Sequence, residues 1–263
     1  MSFDNISRQY KEKSLVQQKA ALKLLNLLAI KGNDNVLDVG CGPGHITNKI
    51  KEITKGRIIG IDISEGMIRQ GKTSYSNIEF RQIAAEDLDY DNEFEIVFCN
   101  STFPWFKDPT KAVRVMFNSL KKSGRIGISC PVTLNWAPCF DRLISKVVEN
   151  ENIRPTFSHW KSPWIFLPTK NDYKYFFEKQ GFSTLLLNVE YEQTYYPTED
   201  AYNIYLSSIA NGYTIKQYYD IDIDNYYIEE FNNLVKKEIE IQSKDGKINV
   251  DFNRMYYIGK KYE

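Results

Sequence analysis

With 263 residues the chain is long enough to bury a substantial core, and it suits one elaborated domain better than two independent ones. Lysine plus arginine and aspartate plus glutamate both number 34, so the formal net charge is zero and the basic excess of a nucleic-acid enzyme is missing. The unusual feature is aromatic content at 14%, with 18 tyrosines, many of them after residue 156.

The opening MSFDNISRQYKEK is polar and charged throughout, so it reads as neither a signal peptide nor a membrane span. From Val16 to Ile30 apolar residues alternate with Gln17, Gln18, Lys19, Lys23 and Asn26, which predicts an amphipathic helix over 14–30 with Ser14 at its N-cap. Tyr10, Gln17 and Gln18 stand before or at its start, as ligand contacts or as solvated polar residues.

Asn35 to Ile50, NVLDVGCGPGHITNKI, is the stretch around which the chain is organised. A short apolar run broken by Asp38 passes into Gly40, Gly42 and Gly44, and then into Ile46, Ile50 and Ile53 at helical spacing. That is a buried strand, a tight glycine turn and a helix start, whose unpaired N–H groups suit a nucleotide-like ligand with an anionic end. The spacing is G-x-G-x-G rather than the G-x-G-x-x-G of dinucleotide folds.

A second strand, Arg57–Asp62, ends in an acid. A carboxylate there accepts hydrogen bonds from ribose hydroxyls or caps the next helix, and Ser64 is better placed for the cap. Asn77–Arg81 reads as the third strand, followed by IAAEDLDY, and Phe94–Cys99 as the fourth, followed by the loop NSTFPWFKDP from Asn100. A helix over Asp108–Leu120 leads to a fifth strand, Arg125–Cys130. Residues 131–168 break the strand–helix rhythm and carry Trp136, Arg142, Arg154, Phe157, His159 and Trp160. A helix over Thr169–Lys179 stops at Gly181, a sixth strand covers Phe182–Tyr191, residues 197–243 are mainly helical, and Val250–Ile258 closes as the last strand. Cys41, Cys99, Cys130 and Cys139 have no C-x-x-C spacing and no nearby histidine pair, so the expectation is reduced buried thiols in a cytoplasmic protein and no metal site.

The string D-V-G-C-G-P-G, with its flanking strand and helix, resembles the first motif of class I S-adenosylmethionine (SAM) methyltransferases. The resemblance covers roughly residues 10–130, and the loop after strand four is more similar to that of small-molecule enzymes such as the trans-aconitate and malonyl-carrier-protein methyltransferases than to the N-P-P-Y loop of adenine- or glutamine-methylating enzymes. The small-molecule enzymes read N-x-x-x-Q-W after strand four, and this chain has Pro104 in place of the glutamine. The family implies an α/β, Rossmann-like seven-stranded sheet with the last strand antiparallel, and helical cap insertions. It divides a single domain over 1–263 into a core of about 30–130, 169–192 and 249–260 and a cap of about 1–29, 131–168 and 193–248. SAM is the implied cofactor, held by Tyr10, Gln17, Asp38, Gly40, Cys41, Gly42, Gly44, Asp62, Ile63, Met67, Ala85, Glu86 and Asn100. The family commonly has Asp where Ala84 stands, which leaves the adenine contact to the Ala85 and Glu86 region.

Methyl transfer is a direct displacement at a sulfonium, so positioning is the protein's main task and no enzyme nucleophile is needed. Phe103 and Trp105 on the loop after strand four, with Trp136 and Trp160 from the cap, are the candidate acceptor walls, Trp105 also positioning the acceptor. A general base is needed only for a phenol, amine or carbon acid, and His159 is then the candidate; His45, in the structural glycine-loop helix, is not. For an anionic acceptor Arg142 or Arg154 is the candidate clamp. The reading is a soluble methyltransferase for a small molecule, neither nucleic acid nor membrane being a partner, and carboxylate O-methylation is favoured by the resemblance alone. Its rivals are methylation of carbon, nitrogen or sulfur in a natural product, and a non-catalytic SAM-binding module.

Overall fold

The computed structural model describes residues 14–133 and 135–262, so the Tyr10 expectation lies outside the described residues. Helix α1 (Leu15–Leu28) precedes a regular alternation of β1 (Val36–Val39), α2 (His45–Ile53), β2 (Ile58–Asp62), α3 (Glu65–Ser74), β3 (Glu79–Gln82), β4 (Phe94–Asn100), α4 (Pro109–Ser119) and β5 (Leu120–Pro131). With β6 (Ser183–Pro197) and β7 (Lys247–Lys260) the strands pair in the order β3-β2-β1-β4-β5-β7-β6, and β7 runs antiparallel to both of its neighbours. The last strand is therefore antiparallel, as the sequence suggests.

Three apolar clusters hold this arrangement. One face of the sheet packs on α4 and on α7 (Lys170–Lys179) through Met116, Tyr173 and Phe177, and Phe177 stacks on Tyr257 of β7 at 4.2 Å between centroids. The other face packs on α1, α2 and α3 through Leu24, Leu28, Ile50 and Ile68. The third cluster joins α5 (Pro138–Val147) and the long α10 (Asn225–Gln242) to the outer end of β7 through Phe140, Phe231, Val250 and Phe252.

That third cluster exists because β6 (Ser183–Pro197) and β7 outrun the parallel strands: their pairing continues from Ser183 opposite Lys260 to Pro197 opposite Lys247. Residues 193–197 and 247–248, expected in the cap, are thus sheet, and they form the platform on which the cap packs. On its outer face β6 exposes Tyr191 and Tyr195, which alternate with half-buried positions as strand geometry requires. The fifth strand also begins earlier than Arg125, at Leu120, with a bulge opposite Phe94 and Ile96.

Local capping follows the sequence in part. Thr169 and Asp172 form a reciprocal capping box at the start of α7, and the Ser64 hydroxyl caps α3 by accepting from Met67 N at 3.1 Å. Ser14 stands at the N-cap of α1 without using its side chain there; its hydroxyl instead accepts from Gln18 Nε2 at 3.3 Å.

Candidate active site

In an open α/β sheet a ligand is expected beyond the carboxyl ends of the strands, where the strand order reverses. Here β2 and β4 flank β1, and at that point the chain encloses a cavity of about 430 Å³. Its floor is the glycine loop. Gly40 N and Cys41 N donate to Ile61 O at 2.8 and 2.9 Å, and Gly42 N donates to Asp62 Oδ2 at 2.9 Å. The Asp62 carboxylate accepts from Ser64 N through its other oxygen, also at 2.9 Å, so it pins the loop from the end of β2 while lining the cavity. An ionised carboxylate only accepts hydrogen bonds, which is the chemistry that ribose hydroxyls require.

The glycines do two different jobs. Gly44, at φ +84°, starts α2, and a Cβ there would stand 2.4 Å from the Phe80 ring; it does not line the cavity. Gly40, at φ +74°, does line the cavity, but a Cβ on it would meet Thr102 Oγ1 at 2.0 Å. Protein packing requires both, and ligand approach bears on Gly40 alone.

Asp38 lies under the loop, 2% exposed, with Thr47 Oγ1 donating to its Oδ2 at 2.7 Å. Burial pushes its carboxyl up to about 7; the Thr47 bond acts against the shift and the neighbouring Asp62 charge adds to it. On the far wall Met67 and Ala85 are buried and Ile63 is 62% exposed. Glu86 accepts from Lys107 N at 2.8 Å and Asp108 N at 3.2 Å, tying the segment after β3 to the loop after β4.

The near wall is more telling. Asn100 Nδ2 donates to Gln17 O at 3.1 Å, while Asn100 Oδ1 and Gln17 Oε1 are buried without a hydrogen-bond partner among the described residues. Both side chains line the cavity. Buried acceptors left in this state are costly and are normally met by a donor.

A second, smaller chamber of about 40 Å³ adjoins the first and shares Gln17, Ser101 and Trp105 with it. Trp136, Trp164 and Phe252 supply its apolar walls, with Trp164 set edge-on to both Trp105 (5.7 Å) and Trp136 (5.4 Å). Ile165 N donates to Pro104 O at 3.0 Å, which anchors this part of the cap on the loop after β4. Arg254 of β7 also lines the chamber, 2% exposed, its Nη1 donating to Ser101 Oγ at 3.0 Å and Ser129 Oγ at 3.4 Å.

Several expected acceptor residues lie elsewhere. His159 is on the outside of the cap with its side chain 45% exposed, and its Nδ1 meets Asp220 Oδ1 at 2.7 Å. It lines neither chamber, so the structure does not support it as a base. Arg142 and Arg154 are exposed on α5 and on α6 (Arg154–Phe157), facing neither chamber. Trp160 lies deeper, stacked on Phe157 at 5.2 Å and donating to Gly212 O at 2.7 Å, and it braces the cap rather than lining the site. Phe103 is 1% exposed and packs on Phe176 and Phe177, so it anchors the loop to the core. Apolar character drew Phe103 and Trp160 into packing, which their residue types alone could not distinguish from a cavity wall.

The sequence reading missed Arg254, Ser101 and Trp164. For Arg254 a signal existed: Ile248, Val250, Phe252, Tyr256 and Ile258 share one face of β7, and Arg254 is the one charge in that alternation.

A sequence profile described as a methyltransferase domain matches residues 30–181, more than half of the chain. The chain belongs to the methyltransferase domain family. Malonyl-[acyl-carrier protein] O-methyltransferase of Acetivibrio thermocellus is 34% identical over 134 residues, 49% of this chain and 47% of that protein. The chain spans about half the length of several such curated relatives. Juvenile hormone acid O-methyltransferase of Bombyx mori is 26% identical over 248 residues, covering 87% of this chain and 85% of that protein. Among solved structures, phosphoethanolamine N-methyltransferase 2 of Haemonchus contortus with S-adenosyl-L-methionine superposes with a TM-score of 0.59 at 16% identity, over 99% of this chain and 57% of that one. At that identity the likeness shows the methyltransferase fold alone. No helix among the described residues is long and apolar enough to cross a membrane.

Proposed function

We propose that this methyltransferase-family chain transfers a methyl group from SAM to a small molecule, and that the accepting atom is a carboxylate oxygen. The observation that carries the cofactor is the pair of orphaned acceptors, Gln17 Oε1 and Asn100 Oδ1, in the wall of the larger chamber. They suit the ammonium of an amino-acid group, which offers donors and no acceptor. Asp62 suits the ribose hydroxyls, and Ile63 and Met67 suit the faces of an adenine. When bound there, SAM supplies a methyl group carried on a sulfonium.

Every other demand falls on the acceptor side. A carboxylate oxygen contributes the lone pair that forms the new C–O bond, the methyl–sulfur pair returns to sulfur, and no proton has to leave. The smaller chamber is consistent with that balance: among its described wall residues the one ionisable side chain is a guanidinium, with no carboxylate, imidazole or phenol to act as a base. A carbon or phenol acceptor would need such a base. A non-catalytic binder would have no use for a second chamber that shares Gln17, Ser101 and Trp105 with the first.

Incubating the protein with methyl-labelled SAM and a panel of small carboxylic acids should yield labelled methyl esters by mass spectrometry. Label appearing only on amines, thiols or carbon would remove the carboxylate reading, and failure to bind either SAM or S-adenosylhomocysteine would remove the methyltransferase reading.

A further inference from the structure

Methyl transfer to a small molecule does not in itself call for a cation in the acceptor chamber, yet this chamber contains one. We propose that Arg254 is the anchor of the acceptor's carboxylate, and that the acceptor is a monoanionic acid with a slim carboxylate end and an apolar body. This rests on the methyltransferase reading above and adds the group that selects the substrate.

Three observations converge on it. The first is position: Arg254 lies on β7 opposite Pro131 of β5, in the wall of a chamber whose other described residues are aromatic rings, prolines, serines, Val16 and Gln17. A charge removed from water attracts an opposite charge several times more strongly than it would at the surface. The second is orientation. Arg254 Nη1 donates to the hydroxyls of Ser101 and Ser129, and these stand at the ends of β4 and β5. Ser101 has φ +60°, a conformation uncommon outside glycine, and its own N–H is fixed to Ser129 O at 2.6 Å. The strained residue that joins the two chambers is thus the one that orients the guanidinium. The third is size and lining: about 40 Å³ admits a carboxylate and little more, and the walls beside the guanidinium are rings, Trp136, Trp164 and Phe252, which suit an apolar neighbour to that carboxylate.

The planar guanidinium matches a carboxylate in a way that a lysine ammonium does not. The chemistry also sets how Arg254 must act. Negative charge on the attacking oxygen falls as the C–O bond forms, so the contact is stronger to the substrate than to the transition state. Arg254 therefore contributes to binding and not to the saturated rate, and it holds the neutral ester weakly, which favours product release.

The test is a binding experiment that needs no turnover. Trp105, Trp136 and Trp164, three of the chain's four tryptophans, line the chamber, so intrinsic fluorescence reports its occupancy. The protein, first titrated with S-adenosylhomocysteine by calorimetry, is then titrated at saturating S-adenosylhomocysteine with hexanoate, hexanamide and methyl hexanoate. Hexanoate should bind about tenfold or more tightly than either neutral analogue, the scale of a charge-assisted hydrogen bond. Arg254→Gln should abolish that preference and Arg254→Lys should reduce it, both with S-adenosylhomocysteine affinity kept within about twofold of wild type. Equal binding of acid and amide by the wild type would overturn the Arg254 assignment and leave the methyltransferase reading standing. So would an acid preference that survives in the glutamine variant. If the glutamine variant fails to fold, the wild-type comparison and the lysine variant decide the matter. No binding of S-adenosylhomocysteine to the wild type would instead strike the underlying reading.

Discussion

The two chambers share three residues but are built differently. The larger is made where consecutive strands end: the loop after β1, the acid that closes β2, the segment after β3 and the first residues after β4. Its contacts include backbone N–H groups held by carboxylates, Gly42 N by Asp62 and Lys107 N by Glu86, on the segments that follow the strands. The smaller takes side chains from segments far apart in the chain, from Val16 and Gln17 through Trp136 and Trp164 to Ser207 and Arg254. A ligand site fixed by topology tolerates much variation in side chains. A site assembled from separate segments changes with each of them, and acceptor choice belongs there. The Tyr205–Ile209 π-turn, which brings Ser207 and Ser208 to the smaller chamber, is a local irregularity of that kind.

The strongest way to break this contrast is to damage the topology itself. Gly44→Val should destabilise the fold by about 3 kcal/mol or more, from a left-handed backbone position and collision with Phe80. Denaturant unfolding measures it, and near-native stability would mean that the loop is shaped by its ligand alone.

Asp38→Asn tests the buried carboxyl beneath the loop. Its pKa of about 7 stands above the ordinary carboxylate value of 3.8, so the folded state holds a proton that the unfolded chain releases. The stability contribution of this group is therefore greatest below pH 3.8 and declines as pH rises toward 7. The amide keeps an acceptor for Thr47 and cannot ionise, so the variant should be more stable than wild type at pH 8 by about 4 kcal/mol, and nearly equal in stability near pH 4. Thermal melts at the two pH values read the difference, and a variant less stable at pH 8 would contradict the placement of Asp38.

Asp62→Ala should weaken S-adenosylhomocysteine binding by about 1.5–3 kcal/mol. Because Asp62 also accepts from Gly42 N and Ser64 N, part of that loss reflects loop order. A ligand lacking the ribose hydroxyls separates the parts: if it loses as much affinity, Asp62 acts on the loop only.

On the acceptor side, a carboxylate arrives ionised, so the single-turnover rate at saturating ligands should be nearly flat from about pH 6.5 to 8.5. Titration of Asp38 within that window should appear in cofactor affinity and not in the saturated rate. The smallest effect belongs to His159→Ala, a surface pair with Asp220, which should change stability by no more than about 0.5 kcal/mol and leave the rate unaltered. A tenfold loss of saturated rate would falsify the exclusion of His159 from the site.

What the sequence determined by itself is the strand–glycine–helix unit, the acid at the end of β2 and the succession of strands and helices along the chain. Each is a local signal: an apolar run, glycines at fixed offsets, an acid at a strand end, a helical period. Residues so encoded, Asp38, Gly40, Gly42, Asp62, Met67, Glu86 and Asn100, all line the larger chamber. Tertiary structure alone decided which of the many aromatic residues face the acceptor. Phe103 and Trp105 are two positions apart on one short turn, yet the first is buried in the core and the second stands between the chambers. It also placed Arg254 beside Ser101, 153 residues away in the chain, across strands β4, β5 and β7. Periodicity marks such a residue as a buried charge, but its partners come from sheet order, and sheet order is set by packing of the whole chain.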